Sequence, residues 1–157
     1  MKNKIKSYVI GILIPVAVGL LAAFLTRDSM DIYKSIVQPP LAPPAILFPI
    51  VWSILYIIMG IGSALIYNSA ADEKDKTQAL FVYALQLAVN FFWSILFFNV
   101  RAFLFSFIWL LLLWVLIIVM ILRFSRINKV AAWLQLPYLL WVTFAGYLNL
   151  AIYILNR

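Results

Sequence analysis

Apolar residues run through this chain in long blocks, with neither the period-two alternation of a half-buried strand nor the charged stripe of a surface helix. Charged residues leave five uncharged stretches, 8–25, 35–71, 77–100, 102–122 and 130–156. Each is long enough to cross a bilayer, since a hydrocarbon core of about 30 Å takes roughly 20 helical residues. Lipid offers no partner to backbone N–H and C=O groups, so only helices or closed barrels span it, and continuous apolar runs select helices. The pattern predicts an all-α integral membrane protein: a single domain, residues 1–157, built as a bundle of five transmembrane helices with a proline-rich loop between helices 1 and 2.

Within the spans, the rarer residues gather on helical faces. The first span carries Gly11, Pro15, Gly19 and Ala23, with Ala22 beside them; small side chains let backbones approach and also leave room for a ligand. In the second span Pro49, Trp52, Tyr56, Gly60 and Ser63 recur at i, i+3, i+4 spacing, and in the third Gln86, Asn90, Trp93 and Phe97 do the same. An amide facing lipid is costly, so Gln86 and Asn90 point inward, toward interhelical hydrogen bonds or a ligand. The fifth span sets Tyr138, Trp141, Ala145, Leu148 and Asn149 on one stripe, just after Pro137. The fourth, 103–122, has Ser106 as its only polar residue and reads as the helix facing lipid or another subunit.

The loop over residues 26–44 holds Pro39, Pro40, Pro43 and Pro44. Fixed φ angles and missing N–H groups favour a stiff, extended path. Such a path serves equally as a lid or as a connector that sets the entry angle of the second helix.

Composition narrows the chemistry. Hydrophobic residues make up 67% of the chain and charged residues 11%, against about 45–50% and roughly 25% in soluble domains, which excludes a soluble domain. The absence of Cys and His removes thiol nucleophiles, imidazole acid–base catalysis and the common zinc and haem ligands; no metal site is expected. All five acids, Asp28, Asp31, Asp72, Glu73 and Asp75, lie between spans, which argues against an ion-coupled carboxylate transporter. No nucleotide loop, dinucleotide glycine motif or hydrolase triad is present.

The net charge of +7 is a topology signal and does not imply a nucleic-acid partner. Lys2, Lys4, Lys6, Lys74, Lys76, Arg123, Arg126 and Lys129 fall on one side of the five spans, and Arg27, Lys34, Arg101 and Arg157 on the other. The positive-inside rule then places the N-terminus in the cytoplasm and the C-terminus outside. The Lys-rich start resembles a signal peptide, but residues 20–26 make a weak cleavage site, and the segment is read as a helix. Leu150, Tyr153 and Arg157 fit a loose sterol-contact pattern that equally describes ordinary interface anchors. Helical faces rich in Trp, Tyr, Asn and Gln under a proline cover describe an apolar pocket with a few orienting polar groups.

Three blocks resemble the family of tryptophan-rich sensory proteins and translocator proteins, also called peripheral benzodiazepine receptors (TspO/MBR). They are Tyr33-Lys-Ser-Ile-Val-Gln-Pro-Pro-Leu-Ala-Pro-Pro44 with Phe48-Pro-Ile-Val-Trp-Ser-Ile-Leu-Tyr-Ile-Ile-Met-Gly60, then Gln86-Leu-Ala-Val-Asn-Phe-Phe-Trp-Ser-Ile-Leu-Phe-Phe98, then 132–149 from Ala132-Trp-Leu-Gln-Leu-Pro to Tyr147-Leu-Asn149. Ile32 stands where the family usually has Trp, and Gln38 where Lys usually precedes Pro.

The resemblance implies a multi-pass protein of a bacterial cell membrane, commonly a homodimer, whose ligand cavity is closed by the first loop. The ligands it implies are tetrapyrroles such as protoporphyrin IX, sterols and isoquinoline-carboxamide compounds; no cofactor is required, the tetrapyrrole being the ligand. Carried over by motif, the pocket comprises Ala22, Tyr33, Phe48, Pro49, Trp52, Asn90, Trp93, Phe105, Trp141, Ala145 and Leu148. Trp52 and Trp141 are expected as opposing walls and as the side chains involved in light- and oxygen-dependent porphyrin breakdown. The competing functions are a tetrapyrrole or sterol transporter and a structural membrane subunit without ligand chemistry.

Overall fold

A computed structural model describes residues 2–157. Helix α1 spans Lys2–Thr26 and ends in a short 3₁₀ turn, Arg27–Ser29, followed by the one-turn helix α2, Ile32–Ser35. Helix α3 covers Leu47–Tyr67, α4 Glu73–Ser94, α5 Phe103–Ser125, α6 Lys129–Leu134 and α7 Leu136–Leu155. Five helical segments are long and apolar enough to cross a membrane, the last comprising α6 and α7 together.

Glycine determines how α1 meets α3. A Cβ on Gly60 would stand 2.5 Å from the Gly11 carbonyl oxygen and from the Ile12 Cα, so the two backbones touch where neither helix carries a side chain. About two turns further along α1, Gly19 makes room for the ring of Tyr56. The buried residue Pro15 lies between these two contacts.

Helix α5, read from the sequence as the helix facing lipid or another subunit, also carries a buried face. Ser106, Leu110, Leu113, Ile117, Met120 and Phe124 are all buried, spaced 4, 3, 4, 3, 4, the pattern of a helix packed along a seam. That seam faces α4 and α7. The most apolar stretch of α1 is 17% buried against 28% for α5, so α1 is the more lipid-exposed helix. A hydropathy profile cannot separate the two, because lipid and protein interior are equally apolar and both faces of α5 carry Leu and Ile.

The fifth span is also not one continuous helix. It breaks at Gln135, between α6 and α7. Pro137 sits in the first turn of α7, where it has no N–H to offer the Trp133 carbonyl. Asn128 caps α6 by accepting the Ala131 N–H at 3.0 Å. Gln135 is fully buried, its amide nitrogen lying against Gly62, where an added Cβ would displace the amide.

The segment between α1 and α3 is tied to α7. Tyr147 Oη donates to the Pro40 carbonyl at 2.7 Å, the Val37 N–H donates to Asn156 Oδ1 at 2.8 Å, and Asn156 Nδ2 donates back to the Val37 carbonyl at 3.1 Å. Tyr33 Oη donates to the Pro43 carbonyl at 2.7 Å. Prolines cannot donate, so Pro40 and Pro43 take part in these fastenings through their carbonyls alone. Gln38 donates from Nε2 to the Tyr33 carbonyl, and Ile32 is buried. Both departures from the family pattern therefore act as internal fastenings of this segment.

Candidate ligand cavity

Near the end of the bundle that carries this segment, α1 and α3 diverge from α4 and α7 and leave a cavity of about 340 Å³, within the range of roughly 300–1,000 Å³ typical of small-molecule sites. Its lining includes Ala22, Tyr33, Phe48, Pro49, Trp52, Trp93, Ala145 and Leu148. Leu20, Ala23, Ser53 and Ile57 also line it and are exposed, so the cavity opens sideways between α1 and α3 toward lipid.

Aromatic rings form its walls in contact with one another. Phe48 meets Tyr33 edge-on at 5.0 Å, and Trp52 stacks on Tyr56 at 5.5 Å. Trp93 stacks on Phe97 at 5.4 Å. Mutual packing fixes these rings before any ligand arrives, so binding need not pay to order them.

A local widening of α4 builds the opposite wall. Residues Ile95–Asn99 form one π-helical turn, the kind of bulge that helices use near functional sites. It brings both Phe97 and Phe98 to the cavity; an unbroken α-helix presents adjacent residues about 100° apart. The periodicity of the sequence predicted Phe97 on this face and gave no sign of Phe98. Thr26, Met30, Tyr56 and Asn149 also line the cavity. Tyr56 and Asn149 already lay on the inward stripes, although they were absent from the expected pocket.

Two expected residues stand one layer behind the wall. Asn90 is fully buried and donates from Nδ2 to Tyr138 Oη at 2.9 Å; Tyr138 in turn donates to Gln86 Oε1 at 2.7 Å. The Tyr138 ring supports Trp52 edge-on at 6.2 Å. Asn90 thus positions Trp52 through Tyr138. Trp141 meets Phe48 edge-on at 5.9 Å and does not line the cavity. Of the pair expected as opposing walls, Trp52 lines the cavity together with Trp93 and Phe97, and Trp141 stands behind Phe48.

Phe105 is the third departure. It is 52% exposed, its ring lies beside Trp109, and it is outside the cavity. The buried seam of α5 starts at Ser106, and the preceding residue points about 100° away from it.

Polar groups at the cavity are few and mostly paired. Trp93 Nε1 donates to Asn149 Oδ1 at 3.1 Å, which also accepts from Ser106 Oγ at 3.1 Å, while Asn149 Nδ2 donates to the Phe103 carbonyl at 2.8 Å. Thr26 Oγ1 donates to the Ala22 carbonyl at 2.8 Å. Burial pushes the Tyr33 phenol above its ordinary value of 10.0, so it remains a donor to Pro43 throughout the neutral range. Among the described residues no cluster of His, Cys, Asp or Glu could hold a metal ion. The arrangement is equipped to hold a flat, apolar molecule and carries no recognisable acid–base pair or nucleophile.

The fold and site thus define a class: multi-pass helical membrane proteins with an aromatic cavity inside the bundle. Within that class the chain belongs to the TspO/MBR family, whose model matches residues 11–155. It is 35% identical over 157 residues to a tryptophan-rich protein TspO of Chlorobaculum tepidum, covering 99% of each chain. It is 35% identical over 139 residues to the translocator protein of Bos taurus, covering 87% of this chain and 82% of that one. Protein CrtK of Rhodobacter capsulatus is 34% identical over 124 residues, covering 79% of this chain and 78% of the relative.

Proposed function

We propose that this protein is a membrane receptor or carrier that takes tetrapyrroles, protoporphyrin IX foremost, into the aromatic cavity from the lipid side. The observation that carries the reading is the two stacked ring pairs, Trp52 on Tyr56 and Trp93 on Phe97, lining a cavity open to the bilayer between α1 and α3. A planar macrocycle gains stacking and edge contacts there, each worth about 0.5–1.5 kcal/mol beyond the area it buries.

Light-driven breakdown is a secondary property of the same complex. The bound porphyrin is the photosensitiser, dioxygen the oxidant, and Trp52 the indole at the cavity wall; Trp141 is one ring further away. The N-terminus lies in the cytoplasm, on the grounds of the eight-to-four distribution of basic residues.

The test is titration of the purified protein with protoporphyrin IX, in darkness by fluorescence quenching and then under illumination by absorbance decay at matched occupancy. Saturable dark binding is expected, weakened several-fold by Trp52→Ala. Trp52→Phe, which keeps a ring and changes its redox character, should slow the decay more than it lowers affinity. Absence of saturable binding would leave the protein a structural membrane subunit.

A further inference from the structure

The connection between α1 and α3 carries a large apolar side chain where its backbone favours none. The Ala42 N–H donates to the Pro39 carbonyl at 3.2 Å, closing a four-residue turn with Pro40 second and Leu41 third. Leu41 has a φ of 68°, in the left-handed region, and after a proline that is the place in a turn where glycine is the usual residue. A leucine there is strained. Packing against the protein does not compensate it, since Leu41 is 81% exposed.

Hydrogen bonds to α7 set the height of this turn. Val37 is bonded to Asn156, and Pro40 accepts from Tyr147. These two α7 residues are nine positions apart, about 14 Å along the helix axis, so the chain descends beside α7 between Val37 and Pro40. Asn149, next but one to Tyr147, donates to the Phe103 carbonyl in the first turn of α5. The turn therefore lies near the level at which a membrane-spanning helix begins.

The backbone of the turn is equipped for surroundings that offer no hydrogen bonds. Four of the residues 39–44 are prolines without an N–H, and the N–H of Ala42 is taken by Pro39. All four proline carbonyls accept: Pro39 from Ala42, Pro40 from Tyr147, Pro43 from Tyr33, and Pro44 from the Leu47 N–H at 3.0 Å. No charged residue occurs from Ser35 to Ala71. The one polar side chain in 36–47, that of Gln38, is turned onto the Tyr33 carbonyl.

We propose that residues 39–44 form an interfacial membrane anchor, with Leu41 inserted among the lipid chains of the leaflet at this end of the bundle. A segment entering lipid must satisfy its own backbone, whereas a protein partner could supply the missing groups. The exposed surface of the turn is also small, one leucine flanked by the exposed Pro40 and Pro44, while a stable protein interface takes about 800 Å² from each partner. Tyr147, 41% exposed beside it, matches the aromatic residues that gather at this depth. Tyr33 joins the anchor to the wall of the aromatic cavity, so the cover of that cavity is held by the bilayer as well as by α7.

The chain has no cysteine, so single cysteines can carry a spin label in the full chain reconstituted into phosphatidylcholine nanodiscs. Collisions with dioxygen, which concentrates in lipid, and with a water-soluble nickel chelate report depth without any added ligand. Leu41→Cys should give an oxygen-to-nickel ratio close to that of Leu140→Cys, an exposed α7 position two turns deeper than Tyr147. Val37→Cys, at the level of Asn156, should give a much lower one. A ratio at Leu41 as low as at Val37 would place the turn in water and overturn the proposal. Low access to both reagents at Leu41 would show it covered by protein, as by a second copy of the chain, and overturn it equally. Leu41→Gly separates anchoring from turn geometry: it suits the left-handed position better, yet the Ala42 amide should exchange faster than in the wild type in nanodiscs. Slower exchange would show that the leucine contributes strain alone, which likewise overturns the anchor.

Discussion

The two ends of the bundle use similar residues to opposite effect. Around the cavity, the small residues Ala22, Ala23 and Ala145 leave space, and the polar groups beside it, on Trp93, Asn149, Ser106 and Thr26, are paired with protein. Toward the other end, Gly11, Gly60 and Gly62 close space by letting a backbone or the Gln135 amide approach; buried polar atoms without partners occur both behind the cavity wall, at Asn90 Oδ1 and Trp141 Nε1, and at this end, at Gln135 Oε1. A small residue therefore has no fixed meaning in a membrane helix. What it does depends on whether the neighbour moves in or stays out, and that is set by the rings and kinks around it.

The largest effect should come from adding volume to the closed end. Gly60→Val forces α1 away from α3, because even its first carbon overlaps the backbone at Gly11 and Ile12; overpacking of this kind costs about 1–3 kcal/mol, occasionally more. Thermal unfolding in detergent should show a midpoint well below that of the wild type. If Gly60→Val were neutral, the two ends would not differ as described.

Volume added at the open end should have the reverse signature. Ala145→Phe fills the cavity from α7 and should reduce protoporphyrin affinity at least tenfold while the unfolding midpoint stays near that of the wild type. A stability loss equal to that of Gly60→Val would show that the cavity end is packed as tightly as the other.

A smaller effect separates wall from backing. Trp52→Ala removes a ring from the wall and should weaken porphyrin binding several-fold, whereas Trp141→Ala, acting through Phe48, should weaken it less. Phe105→Ala should leave affinity within about threefold, a perturbation below roughly 0.7 kcal/mol. A greater loss at Trp141 than at Trp52 would exchange their places.

The smallest effect concerns the fastening of the first loop. The Tyr33 phenol titrates above 10.0 because burial disfavours its anion. Its raised folded-state value means that its contribution is complete below pH 10 and is lost as pH rises through the folded value. The protection of the non-proline amides in 36–44, measured against the base-catalysed rate of an unstructured chain at the same pH, should therefore fall in strongly alkaline solution in the wild type. In Tyr33→Phe, which lacks the bond to Pro43, the loop should already exchange faster at neutral pH.

Much of this was legible in the residues. Uncharged length gave the five spans, and the stripes of Trp52 with Tyr56, of Gln86, Asn90 and Trp93, and of Ala145 with Leu148 face the interior as their spacing implied. Spacing does not report depth within that interior, so Asn90 and Trp141 were grouped with residues that touch the cavity when each stands one side chain behind it. Phe98 was hidden by the π turn, which breaks the period from which faces are read. The seam of α5 was hidden because its buried and lipid-facing positions draw on the same apolar residues.

The π turn at Ile95–Asn99 also changes what counts as a small alteration in this sequence. It holds one residue more than the α-helical turn it replaces, so deleting a single residue there restores the ordinary register. Side chains on either side of the deletion keep their faces, because the bulge alone had absorbed the extra residue, whereas the same deletion elsewhere in α4 would swing everything beyond it by about 100°. Substitution scans across this segment sample ring size and polarity, whereas a one-residue deletion removes the second phenylalanine from the cavity wall in one step. An alignment that spreads this difference over several mismatches will miss it; one that opens a single gap at 95–99 will separate relatives with a two-phenylalanine wall from those with one.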